Sequence, residues 1–335
     1  MTNRERVLSA LRHAGPDRVP YHVGLTYKAR ERMVEFTGDP DFDASWDNCL
    51  CFLDIGLPDG WKEVERDIWQ DEFGVRWNRA VDKDIGVVCN QIVRPDTLAG
   101  YRFPDSQDPR RLEQLEKWRL SGNRERFTVV NIGFSLFERA WTLVGMEELL
   151  TYMVLEPSFV HRLLDEILEF NLALIEKACG YEIDAMMFGD DWGDQRGLIM
   201  GPDLWRRFIR PRIAKMYEAV RKRGKFVFIH SCGKVDCIFP DLIDVGVDVF
   251  NPFQPEVMDV AEMKRRFGGR LSFYGGISTQ RLLPFGSEED VRREVRLLLD
   301  TLGRNGGYIA APAHAVPGDA KPENILAMMD ALNRQ

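Results

Sequence analysis

The chain has 335 residues, of which 44% are hydrophobic and 29% charged, a balance that excludes a disordered protein and supplies a large core. Lys and Arg number 45 against 53 Asp and Glu, and the resulting formal charge of −8 argues against nucleic acid as a partner. The opening MTNRERVLSALRHAGPDRVP lacks the apolar centre of a secretory signal, and no stretch reaches the roughly 18 apolar residues of a membrane span. A cytoplasmic protein without membrane contact is therefore expected, and its six cysteines read as reduced thiols rather than disulfides.

Thr2 and Glu5 have capping-box spacing, and Val7, Leu8 and Leu11 follow at helical period before Gly15-Pro16, so a short helix opens the chain. Val19–Val23 reads as a strand. Residues 25–125 mix tryptophan, glycine and acidic residues without a lasting period and read as irregular, holding one further strand. From 128 onward, apolar runs at 128–132, 185–188, 226–229, 247–250, 271–274 and 308–311 alternate with helical patterns near 146–178, 202–223, 236–245, 257–267, 287–303 and 322–333. Strand-then-helix units imply parallel strands with helical crossovers. Eight of them give an α/β fold, a single (β/α)8 TIM barrel over residues 1–335. A doubly wound sheet is disfavoured because no Gly-rich phosphate loop follows the first strand.

Barrel chemistry sits where strands run into the following loops. These positions hold Glu138, Asp190-Asp191 with Asp194 and Gln195, His230 and Cys232, Asn251 and Gln254, Tyr274 before Gly275-Gly276, and His314. His230 and Cys232 lie two apart at a strand end, so an extended backbone points both the same way, as two ligands of one metal require. His314, from a later strand, supplies a third, leaving the fourth position open as in a catalytic zinc site. Asp190 and Asp191 follow an apolar strand and are suited to general acid or base work. The competing reading makes Asp191 or Asp194 a helix cap, and His13, His22, His161, Cys49 and Cys51 structural.

The stretches GDDWGDQRGLIMGPDLWRRFIRPRI, FVFIHSCGKV, DVFNPFQ, FYGGISTQRLLPFGSEEDV and GGYIAAPAHAVPGDAKPENI resemble the uroporphyrinogen decarboxylase superfamily, as do RERVLSALRHAGPDRVP and DEFGVRWNR near the amino terminus. The resemblance implies a barrel with its site at the carboxyl mouth and either of two chemistries. Decarboxylases of the group use no metal and hold a tetrapyrrole with an arginine-bearing segment of the form RQAGRYMPEY. That segment is absent from Gly24–Arg30, and Asp54 of CFLDIGLP is the residue that would take the decarboxylases' acidic role. Corrinoid-dependent methyltransferases of the group bind zinc through a His-x-Cys pair and a cysteine near the carboxyl end. His230 and Cys232 match the pair, and His314 stands where the cysteine is expected.

The resemblance thus implies a zinc-dependent methyltransferase acting with a corrinoid (cobalamin) partner protein on a small thiol or an O- or N-methylated substrate. Its expected metal ligands are His230, Cys232 and His314, its catalytic residues Asp190 and Asp191, and its substrate contacts Glu138, Gln195, Gln254 and Tyr274. The alternatives are a uroporphyrinogen decarboxylase and a non-catalytic tetrapyrrole- or corrinoid-binding barrel.

Overall fold

The computed structural model describes residues 1–335. Seven parallel strands, Leu50–Asp54, Phe127–Ile132, Ala185–Gly189, Phe226–His230, Val249–Phe253, Ser272–Ile277 and Tyr308–Pro312, pair in that order in one curled sheet, and helices pack outside it. The eighth position belongs to residues 20–26. The sequence predicts a strand here, but the segment bonds only at isolated bridges, Tyr21 with Ala310 and Leu25 with Val316. On the other side, the Cys49 N–H donates to the Tyr21 carbonyl at 2.9 Å, so this segment joins the two ends of the sheet. Pro20 has no N–H to give to a ladder and Gly24 weakens a strand interior, and the ring closes through isolated bridges.

Side chains alternate across a strand, and inward-facing Leu50, Phe127, Val129, Ala185, Met187, Phe228, Val249, Tyr274, Ile309 and Ala311 fill the barrel in one cluster. Val7 and Leu11 plug its lower end from the helix Asn3–Leu11, whose predicted Thr2/Glu5 capping box is present. The same alternation puts polar residues at the upper rim. Asp54 is level with Asn131, Gly189 with His230, and His230 with Asn251.

Several expected elements take a different form. The pattern read as one helix over 146–178 is two, Met146–Leu155 and Pro157–Ala178, because Pro157 cannot continue the hydrogen-bond ladder and instead starts the second. The segment near 202–223 contains a wide π-helical turn at Trp205–Ile209. Residues 25–125 are more ordered than their sequence suggests. They hold the helix Tyr27–Thr37, the barrel strand Leu50–Asp54, the helix Glu113–Ser121 and an antiparallel sheet of Lys62–Glu65, Ile68–Gln70, Arg76–Asn78 and Val87–Val88. These strands are two to four residues long, too short for a period to show in sequence. A buried Arg139–Asp71 ion pair of 2.8 Å and the packing of Trp77 on Phe134 fasten the sheet beside the mouth.

Candidate metal and catalytic site

The ligand atoms of His230, Cys232 and His314 lie within 4.8 Å of one another at the upper rim. His230 ends one strand, Cys232 follows two residues on, and His314 follows the strand Tyr308–Pro312. Cys232 Sγ is 3.5 Å from His230 Nε2. Bonds of about 2.1 Å to nitrogen and 2.3 Å to sulfur at a tetrahedral angle give an edge of about 3.6 Å, so the pair fits one zinc-sized ion.

Asn251 sets the tautomer of His230. Its Nδ2 donates to the Tyr274 carbonyl at 2.9 Å, which turns Oδ1 toward His230 Nδ1 at 2.6 Å. Nδ1 must then carry the proton, leaving the Nε2 lone pair facing Cys232. The sequence offers Asn251 only as one more polar residue after a strand; its register beside His230 reveals the role. Asn251→Leu is expected to weaken zinc binding by about 10–100-fold. Asn251→Asp, which keeps the acceptor, should lose much less. Competition with a chromophoric chelator measures both, and equal affinities for the Asn251→Leu variant and wild-type protein would remove Asn251 from this role.

The acidic segment after Gly189 divides its work. Asp190 is fully buried, and its carboxylate accepts from the backbone N–H of Leu136 at 3.2 Å, that of Glu138 at 2.8 Å and the Trp192 indole at 2.6 Å. It therefore caps the helix Phe137–Val144. Burial pushes its pKa up to about 6, against the pull of these donors. Asp191 faces the cluster. Its Oδ1 accepts the Cys232 N–H at 2.8 Å and lies 3.8 Å from His230 Nε2. Glu138, in the first turn of that capped helix rather than in a loop, is held well above the usual carboxyl range by burial and then by Asp191 and Asp190. Burial, followed by Asp191, likewise raises the Cys232 thiol. Loss of solvent around the ring, and next the facing His230, lower His314.

Two glycines hold the cluster together. Gly193 and Gly233 meet backbone to backbone: a Cβ on Gly233, whose φ is +86°, would lie 2.4 Å from the Gly193 carbonyl carbon. The contact brings Asp191 against Cys232 and lets the Lys234 N–H reach the Asp194 carbonyl at 2.8 Å.

A groove of about 680 Å³ opens beside Cys232 and His314, with Gln195 and Gln254 in its wall. Gln254 also accepts the Gly233 N–H at 2.8 Å. The structure places the Tyr274 side chain elsewhere. It points into the barrel below the rim, its hydroxyl 2.8 Å from His22 Nδ1. Sequence reading missed Thr279, which lines the groove, and Asp84, which raises His314 electrostatically and accepts the Tyr27 N–H at 3.0 Å. Thr279 follows the strand Ser272–Ile277 by two residues, a strand-end position the sequence reading passed over, whereas no strand-end signal marks Asp84.

Residues 73–335 match the uroporphyrinogen decarboxylase family. The chain belongs to that family. Among its relatives, a uroporphyrinogen decarboxylase of Methylococcus capsulatus is 24% identical over 187 residues, 53% of this chain and 49% of the relative. A methylcobamide:CoM methyltransferase of Methanosarcina barkeri is 29% identical over 133 residues, 40% of this chain and 37% of the relative. The chain thus spans half or less of these relatives' length. A methyltransferase from Methanosarcina mazei superposes with a TM-score of 0.75 over 99% of this chain and 98% of its own at 18% identity, which shows the shared barrel. No helix is long and apolar enough to cross a membrane.

Proposed function

We propose that this family member is a zinc-dependent methyltransferase that exchanges a methyl group between a small substrate and a corrinoid carried by a partner protein over the barrel mouth. The observation that carries this reading is the convergence of His230, Cys232 and His314, with the His230 lone pair turned toward the cluster. These three residues would hold the ion. Zinc supplies Lewis acidity that lowers the proton affinity of a thiol or polarises an oxygen. Asn251 orients His230. Asp191, close to both His230 and Cys232, is the group to take the proton released from a substrate thiol. Glu138 stands behind it, its carboxyl raised by burial and then by Asp191 and Asp190. Gln195 and Gln254 position substrate from the groove wall.

The decarboxylase reading needs several free cations for a polycarboxylate. Near Asp54 and Asn131 a second crevice of about 560 Å³ holds Lys117, which pairs with Glu113 at 3.8 Å, and Arg110, Arg111 and Arg139. Each already pairs with a carboxylate: Arg110 with Asp59 and Asp108, Arg111 with Glu72, and Arg139 with Asp71. That engagement favours the methyltransferase.

Protein purified without a tag or chelator is expected to contain about one zinc per chain. It should also demethylate methylcobalamin when given a thiol acceptor, with the loss of the methylcobalamin absorbance as readout. Metal-free protein that stays inactive after zinc addition would overturn the proposal.

A further inference from the structure

The groove beside His230, Cys232 and His314 has no Lys or Arg in its lining, and its charged side chains there are Asp194 and Asp319. Asp194 is engaged: Oδ1 accepts the backbone N–H of Arg196 at 2.7 Å and of Gly197 at 2.9 Å. The Arg196 side chain, 93% exposed, approaches Asp194 only to 4.0 Å and from the solvent side. Asp319 is exposed and has neither a hydrogen bond nor an ion pair. Two wall residues point to a ligand independently of this charge. Gln254 and Thr279 are only 6% and 5% exposed. Gln254 uses Oε1 on Gly233, while its Nε2 and the Thr279 hydroxyl have no partner in the protein, and neither atom is sealed from the groove.

An anionic substrate group held near a metal requires a cation or a set of aimed N–H donors, because an unpaired charge loses its water at high cost. This wall offers the side-chain amides of Gln195, Gln254 and Gln280, the hydroxyls of Thr26 and Thr279 and two carboxylates, with no cation among them. A divalent ion with the Cys232 thiolate would add one positive charge, and Asp191 at 3.8 Å from His230 offsets it. The side chains that line the groove itself therefore carry net negative charge.

Resting on the metal-dependent reading above, we propose that the groove selects a small polar substrate without an anionic group. An acceptor on that substrate would meet Gln254 Nε2, a further polar atom would meet Thr279 Oγ1, and carboxylates, sulfonates and phosphates are disfavoured.

Three thiols of similar size and different charge test this on the cobalt(II)-loaded full chain: thiocholine, 2-mercaptoethanol and 2-mercaptoethanesulfonate. The cobalt–thiolate absorption gives each Kd, corrected for the ionised fraction of the thiol. The sulfonate is expected to bind at least about fivefold more weakly than the neutral thiol, with the gap shrinking in Asp319→Lys and in high salt. Thr279→Val should weaken 2-mercaptoethanol about threefold or more without changing cobalt affinity. A smaller gap, an inverted order or a gap indifferent to Asp319→Lys overturns the charge selection, and an unchanged Thr279→Val overturns the hydrogen bond. Both results leave the metal reading standing. Protein that takes up no cobalt overturns the metal reading and this inference with it.

Discussion

Under the proposed function, Cys232→Ala is expected to abolish zinc binding and methyl transfer while leaving a folded barrel. Zinc held by four protein ligands is worth roughly 10–16 kcal/mol, so one ligand contributes about 3 kcal/mol or more, and its loss lowers affinity by over a hundredfold. The residue adds little to the core, since it stands at the mouth and the 13-residue barrel cluster does not include it. Proton release makes the assignment sharper. Burial and Asp191 keep the metal-free Cys232 as a thiol, so binding must expel a proton, and affinity should rise with pH around neutrality by about tenfold per unit. His314, held below its ordinary pKa, offers its lone pair without releasing one. Metal titrations in weak buffer should therefore show about one proton released per ion in wild-type protein. Full metal content in Cys232→Ala, with circular dichroism unchanged, would remove Cys232 from the ligand set.

Gly233→Ala is expected to be nearly as damaging without touching a ligand. Two costs combine. Alanine at a φ of +86° is strained by about 1–2 kcal/mol, and the added Cβ collides with the Gly193 backbone, which has no flexible end to move aside. The loops must part, drawing Asp191 from Cys232 and breaking the Gln254 contact to residue 233. A destabilisation of about 2–4 kcal/mol and a Tm several degrees lower should accompany at least tenfold weaker metal binding. Gly224→Ala is the control, because Gly224 has a φ of +69° and nothing within 4 Å of its Cβ position. If the two variants lose the same stability, backbone conformation alone accounts for the effect and the glycine contact is not what aligns the site.

The reach of the sequence is clearest in the second half of the chain. Long runs repeat the strand-then-helix alternation, so parallel strands and a barrel follow from period alone. The residues after each run identify the rim. His230 and Cys232 are legible because strand parity is local, two residues apart on one backbone. The same locality explains what stays hidden. Asp190 and Asp191 are adjacent and chemically alike, yet one caps a helix over fifty residues earlier in the chain while the other faces His230. Tyr274 stands at the start of a rim loop in sequence but faces into the barrel. The short strands at 62–88 are held by Trp77 against Phe134 and Asp71 against Arg139, contacts that no window of that segment contains.

Local pattern in the chain was enough to establish the parallel order of the strands, the rim on which chemistry can stand and the two-residue step joining imidazole to thiol. Long-range packing settled which carboxylate faces His230, which tautomer His230 holds and which residues wall the groove. Each of these depends on distances between segments far apart in the chain, and only the closed barrel fixes such distances.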